Sequence, residues 1–428
     1  MNAAPKQLHL WAFLQGIGHY PGGWRYRGAT PRAVLDVDYY RRIGRLIERG
    51  RFDAIVFGDQ LQARGANGRT PRHLAMPTLD PLTLLAALAS ATQHVGLVAT
   101  VSTTFFEPTA VADKFATLDH LSGGRAGWNI VTTAHPASAW NFGQQQMLEK
   151  SLRYQRADEF VAVTKALWDA ALPAGAGRNP PIEHAGRWFT VHAALATARL
   201  PQGRPVLVQA GQSGDGRDFA AKTAEAIFCP AKTIDAGRAF SDDIRARMPQ
   251  FGRRPGDVRI MPGLSFVLAS TEAEALAKDR ELIELSTPEL CIEYLSESIG
   301  FDLTALAPDA PIPLEQILAG CELPADDVRR QLEPVVKAGT SLVEFAKNYV
   351  RTPRGHHVFR GTPEQLADMM GQWLEQGACD GFTLQPAYMP GELELFVDQV
   401  VPILQRRRLL RTDYRMSSLR GHLELTDL

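Results

Sequence analysis

The stretch Pro205-Val206-Leu207-Val208-Gln209-Ala210-Gly211-Gln212-Ser213-Gly214-Asp215-Gly216 decides the fold. Its first six residues form an apolar run bounded by turn residues, which predicts a strand over Pro205–Ala210. Glycines and Ser213 make the turn, and a helical pattern follows from about Asp215 to Ala224. A strand that feeds directly into a helix is half of a βαβ unit, the building block of parallel sheets.

The same unit recurs in both directions. Downstream, a very short strand over Ile227–Cys229 precedes a helix near Asp235–Arg247, and a strand over Arg259–Leu268 precedes a helix that Thr271 caps and that reads to about Leu285. Thr362-Pro363-Glu364-Gln365 is a capping box whose helix ends at Gly377. A strand over Phe382–Gln385 and a last helix over Glu392–Arg408 follow. Upstream, strands are expected over Leu8–Phe13, Ala54–Phe57, Val95–Val101 and Ala126–Val131. Their helices cover Asp36–Arg49, a segment opened by Asp80-Pro81, Thr109–Leu121 and Glu149–Ala170.

Eight strand–helix pairs favour an α/β fold of the (β/α)8 barrel type over an open doubly wound sheet. Long insertions follow the fourth and seventh strands. The alternation fails between about Ser286 and Arg360, where the loop-like APDAPIPLEQ separates helical segments. This stretch reads as a lid-like insertion in a single domain covering 1–428.

With 46 Lys+Arg against 47 Asp+Glu, the 428-residue chain has no charge excess that would draw nucleic acid or an anionic membrane. The apolar-rich run Leu82–Val101 is broken by Ser90, Thr92, Gln93 and His94, so no spanning segment is expected. The start, MNAAPKQLHLWAF, lacks the marks of a leader peptide. Four scattered cysteines with no CxxC suggest a reducing compartment and argue against zinc or a disulfide framework. A cytoplasmic protein is the expectation.

In such a barrel, chemistry gathers at the C-terminal ends of the strands. The polar residues there are Phe57-Gly58-Asp59-Gln60, Ser102-Thr103-Thr104-Phe105, Asn129 to Thr133, Gln209 to Gly214, and Gln385. Each has a bland alternative. Asp59 serves equally as a turn or cap residue, and the hydroxyls of 102–104 as strand filler. Asn129 lies inside an otherwise apolar strand, where a buried amide needs partners. The 209–216 segment is either a simple helix entry or a phosphate cradle with Ser213 as an added donor. His19 and Trp24, in the Gly-rich loop after the first strand, are either pocket wall or solvent-facing loop. His356-His357 reads as surface loop. Walker, GxGxxG, HExxH and GxSxG patterns are absent.

These segments resemble the nitrilotriacetate monooxygenase component A family, within the bacterial-luciferase-like FMN-dependent monooxygenases. The resemblance is carried by Phe57-Gly58-Asp59, Ser102-Thr103-Thr104-Phe105-Phe106, the run from Thr117 to Arg125, Gly127-Trp128-Asn129-Ile130-Val131-Thr132, the run from Arg153 to Phe160, and Gln209 to Ser213. It covers nearly the whole chain. It implies a bacterial-luciferase-like TIM barrel that takes reduced FMN (FMNH2) from a separate NAD(P)H:FMN reductase. It also implies oxygenation of a small organic substrate with O2 through a C4a-peroxyflavin, in a homo-oligomer (dimer or tetramer). Family substrates range from aminopolycarboxylates to sulfones, sulfides and long alkanes.

The resemblance places Asp59 and either Thr103 or Thr104 near the isoalloxazine and ribityl, and Asn129 beside the ring. It places Tyr154 and Ser213, with Gly214 behind it, near the phosphate. The family often has a histidine four residues before the tyrosine, where this chain has Lys150. His19, Trp24 and Asn129 are the candidate pocket residues, no obligatory acid or base stands out, and no metal is implied. A deazaflavin F420-dependent oxidoreductase and a non-catalytic flavin-binding protein are the competing readings.

Overall fold

The computed structural model describes residues 6–59, 61, 78–133, 135, 137–321, 325–351 and 355–426. Its strands are β1 (His9–Leu14), β2 (Ala54–Phe57), β3 (Gly96–Ser102), β4 (Ala126–Val131), β5 (Ile182–Ala185), β6 (Thr190–Ala193), β7 (Val206–Gln209), β8 (Ala226–Cys229), β9 (Arg259–Leu268), β10 (His357–Gly361) and β11 (Gly381–Pro386). Eight of them, β1–β2–β3–β4–β7–β8–β9–β11, pair in parallel, and β11 pairs back onto β1. The expected (β/α)8 barrel is therefore present, with helices between its strands.

Two elements depart from expectation. β5 and β6 form an antiparallel hairpin after the helix Lys150–Asp169. Their four-residue alternating segments IEHA and TVHA are too short to stand out in a polar context. β10 lies inside the stretch expected to be an insertion, yet it rejoins the sheet. The ten residues of β9 outrun the four of β8, so β8 pairs with Arg259–Pro262 and β10 takes the same edge at Leu264–Leu268. An unpaired strand edge is a liability, and β10 removes it. His356, expected on a surface loop, is consequently only 5% exposed.

Between β9 and β10, helices at Pro288–Ile299, Leu314–Gly320, Ala325–Lys337 and Leu342–Tyr349 gather round their own apolar cluster. That cluster also takes in Tyr20, Tyr26, Ala387 and Tyr388 from barrel loops. The helical segments expected on either side of the loop-like APDAPIPLEQ are thus packed into one helical body. No helix among the described residues is long and apolar enough to cross a membrane.

Strand alternation sorts the side chains. On β4, Trp128 faces outward against Phe115, Phe160 and Trp168. Inward-facing Trp11, Val56, Val98, Val208 and Met261 meet Leu419, Leu423 and Leu425. The segment around the short helix Leu419–His422, which carried no sequence pattern, therefore plugs the base of the barrel. Gly96 makes room for it, because a Cβ there would lie 2.4 Å from a Leu419 methyl. Fully buried Asp53 accepts from the Leu10 amide at 2.7 Å and pairs with His9 and Arg411. Burial alone would raise its pKa, but Arg411 and His9 outweigh that and hold the carboxyl below its usual range.

Leu419→Ala should cost about 2–4 kcal/mol in denaturant unfolding, the range for emptying a buried leucine site. A loss below about 1 kcal/mol, the range of surface changes, would show that the base is not closed in this way.

Candidate functional site

The polar strand ends meet at the C-terminal mouth. Opposite in parity to Trp128, Asn129 turns its amide into the barrel, where Nδ2 donates to Thr100 Oγ1 at 2.9 Å. Its Oδ1 is buried and has no hydrogen-bond partner. Thr103 Oγ1 donates to the Val131 carbonyl at 3.3 Å and Thr104 Oγ1 to the Thr132 carbonyl at 2.7 Å. Thr133 Oγ1 donates to Ser102 Oγ at 2.7 Å. The two threonines that sequence reasoning could not separate do the same work: each spends its proton tying β3 to β4 and keeps lone pairs to offer. Asp59 is half-buried two residues past β2, and Gln60 lies outside the described residues.

Past β7, Ser213 caps the helix Gly214–Thr223, its Oγ accepting from the Gly216 amide at 3.3 Å. Gly214 is exposed, with nothing within 4 Å of where a Cβ would stand. Tyr154, on the helix Lys150–Asp169, places its hydroxyl 2.8 Å from the position of a Cβ on Gly216 and its ring 5.8 Å from Phe219. The tyrosine hydroxyl, the Ser213 hydroxyl and the first-turn N–H groups thus converge at a positive helix end, a geometry made for an anion. Lys150, one turn before Tyr154, is exposed and forms no ion pair among the described residues.

Arg153 is a site residue to which sequence reasoning gave no role, although it adjoins Tyr154. It is 9% exposed, Nη1 donates to the Thr133 carbonyl, and Nε has no partner. Burial pushes its pKa below the ordinary guanidinium value, against the opposing effect of Tyr154. An anion nearby would relieve that strain on the charge.

An aromatic row floors the mouth. Phe13 of β1 and Phe228 of β8 meet with ring centroids 5.7 Å apart. His19 sits 5.2 Å from Phe13, and His356 stacks on Phe228 at 4.8 Å and 19°. His356 fits only because position 263 is glycine, where a Cβ would lie 2.3 Å from its Nδ1. His19 Nε2 is 2.9 Å from the Phe13 carbonyl, which can only accept, so Nε2 carries the proton. Trp24 is half-buried beside the row's loop, with the Arg25 guanidinium 4.7 Å from its ring centroid.

The helix Pro288–Ile299 lies over one side of this mouth. At its start, Arg25 Nη1 donates to the Leu285 carbonyl at 2.7 Å, and a Cβ on Gly22 would stand 2.5 Å from the Ser286 nitrogen. Toward its end, Glu297 Oε2 is 3.2 Å from Nε2 of His135, in the loop after β4. Twelve residues span about 18 Å at the α-helical rise, enough to reach from the β1 loop to the β4 loop. No cluster of metal-ligating side chains occurs among the described residues.

Comparison with known proteins fits this geometry. The profile of the luciferase-like monooxygenase family matches residues 18–311. The chain is 39% identical to N-acetyl-S-(2-succino)cysteine monooxygenase of Bacillus subtilis (strain 168), over 99% of its own length and 98% of the relative's. It is also 39% identical to nitrilotriacetate monooxygenase component A of Aminobacter aminovorans, over 99% and 97%. A riboflavin lyase solved with modified FMN and riboflavin superposes with a TM-score of 0.85 at 30% identity, covering 99% of this chain and 97% of that one. Barrel, polar mouth and similarity over almost the full length agree: the chain belongs to the luciferase-like monooxygenase family, and it is a flavin-dependent monooxygenase.

Proposed function

We propose that the chain is the FMNH2-dependent oxygenase component of a two-component system. The observation that carries this reading is a donor-rich cradle at Ser213, Gly214 and Tyr154 combined with an acceptor-rich wall at Asn129, Thr103, Thr104 and Asp59. A phosphate needs donors, and the ring N–H groups of a reduced flavin need acceptors; the unsatisfied Asn129 Oδ1 is one. Arg153 adds a buried positive charge beside the cradle, and Lys150 stands one turn away without the same fixed geometry.

When bound, FMNH2 would supply two electrons to O2 at C4a, one oxygen atom passing to the substrate and the other leaving as water. The protein's own part is to hold the ring, keep water out and admit a small organic molecule between the aromatic floor and the overlying helix. His19 and Trp24 line the β1 side of that space. The inserted segment is the lid, carried by its first helix. A separate NAD(P)H:FMN reductase would deliver FMNH2, the oxygenase would work as a dimer or tetramer, and four free cysteines fit a cytoplasmic setting.

Oxygen uptake with FMN, NADH and a generic flavin reductase, with a substrate panel followed by mass spectrometry, tests the reading. Product carrying one atom from labelled O2 supports it. Activity with reduced F420 in place of FMNH2 would favour a hydride carrier, and tight flavin binding with no product would favour a binding protein.

FMN should bind at least about tenfold tighter than riboflavin, a difference of about 1.4 kcal/mol for the phosphate. Gly216→Ala forces a Cβ to within 2.8 Å of the Tyr154 hydroxyl and 2.9 Å of the Gly211 Cα. It should erase most of that preference while leaving riboflavin affinity unchanged. Equal affinities in the unaltered protein would remove the phosphate assignment.

Asn129→Leu separates function from structure at the wall. If the amide serves the flavin ring, reduced-FMN affinity or oxygenation falls while the melting temperature holds. A purely structural amide predicts the reverse: normal turnover and a loss of about 1–3 kcal/mol from the stranded Thr100 hydroxyl.

A further inference from the structure

We propose that Arg153 couples the two halves of the flavin site: one end of its guanidinium fixes the strand end beside the ring wall, and its other edge receives the phosphate oxyanion. This rests on the FMN reading above for the identity of the anion, though not for the empty edge that would receive it.

Buried guanidinium groups are normally paired or have their donors spent. Arg125, 2% exposed, shows the second case: Nε donates to the Ser122 carbonyl, Nη1 to Thr92 Oγ1 and the Val95 carbonyl, and Nη2 to the Ala89 and Thr92 carbonyls. Arg153 shows neither. It is 9% exposed, forms no ion pair among the described residues, and makes one hydrogen bond, from Nη1 to the Thr133 carbonyl. Its Nε is buried without a partner, and Nη2 donates to none of the described residues. Nε–H and one Nη2–H lie along a single edge of the guanidinium, the pair of parallel donors that binds a phosphate or carboxylate in bidentate fashion. The one ionisable neighbour that acts on this charge is Tyr154, whose hydroxyl stands at the cradle.

The occupied end matters as much. Thr133 has φ +39°, a left-handed conformation that costs a β-branched residue about 1–3 kcal/mol unless its surroundings hold it. Two bonds do so: Arg153 to its carbonyl, and its own Oγ1 to Ser102 Oγ at 2.7 Å. Ser102 Oγ also accepts from the Thr104 amide at 3.1 Å, and Thr104 Oγ1 donates to the Thr132 carbonyl at 2.7 Å. Arg153 is therefore an outer tie of a network that includes Thr104 and continues down β4 to Asn129. An oxyanion on its free edge restrains the guanidinium and, through it, the Thr133 peptide. Ring and phosphate then bind more tightly together than apart, and by linkage each favours the other equally.

The test offers the two halves of FMN as separate pieces. Riboflavin is titrated by its fluorescence without phosphate and with saturating inorganic phosphate, at constant ionic strength. The parent should bind riboflavin about tenfold tighter when phosphate is present. Arg153→Gln should bring that factor to about one. Arg153→Lys keeps the charge but not the fork and should do the same. Thr133→Gly suits the positive φ, leaves the guanidinium in place and removes the hydroxyl tie; it should lower the factor while phosphate still raises the melting temperature. Ser213→Ala should need more phosphate to reach the parent's factor.

A factor of one in a parent that binds riboflavin would overturn the proposal. So would a tenfold factor that survives in Arg153→Gln or Arg153→Lys, or an unchanged factor in Thr133→Gly. A parent that binds no flavin would instead defeat the flavin reading. The rise in melting temperature with phosphate, which needs no flavin, would still decide whether Arg153 receives an oxyanion: lost in Arg153→Gln it does, and equal in both proteins it does not.

Discussion

A closed ring of parallel strands has an interior that side chains must fill, and the rest of this structure depends on how the two ends are treated. The base is filled from outside the ring: Leu419, Leu423 and Leu425 enter a space opened by Gly96 and Gly127. Farther up, Phe13 and Phe228 meet across the interior and stop the apolar filling. Everything above that level is free to be polar. Asn129, Thr103, Thr104, Ser265 and Gln385 can therefore sit at strand ends without breaking the core. One end supplies stability, and the other can carry a partly unsatisfied group such as the Asn129 oxygen.

The barrel was legible in the sequence because its signals are local. Asp80-Pro81, Thr271 and Thr362-Pro363 announce helix starts, and all three are caps in the structure. The apolar runs 54–57, 126–131 and 227–229 announce strands and lie where strands form. Ser213 and Tyr154 come together because one opens a helix and the other lies on a helix packed beside it, and both belong to the segments that carry the family resemblance. What escaped depends on partners far away in the chain. β10 exists because β9 is longer than β8, which no reading of HHVFRG reveals. The basal plug is a four-residue helix among arginines and histidines, so its leucines show no periodicity. His135 and Glu297 are separated by 162 positions. The aromatic row draws on four separate segments.

The inserted body shows how composition misleads. Around the loop-like APDAPIPLEQ it hides a packed interior, in which Leu303, Ile312, Ile317, Leu332 and Leu342 are at most 6% exposed. A packed body of this kind would move as a whole, keeping its shape and changing only its seating. Functional tuning can then concentrate in a few boundary contacts while the inner packing is preserved.

The order of synthesis gives the basal plug a further meaning. β11 at 381–386 and the leucines at 419–425 leave the ribosome after every other barrel strand. Until they appear, β1 and β9 both present open edges, and the hollow between Val56, Val98 and Val208 has no filling. Nascent chains in that state expose the surfaces on which aggregation begins. The barrel therefore closes late, and chaperone protection would matter most during translation of roughly the last fifty described residues, the span from β11 to the plug.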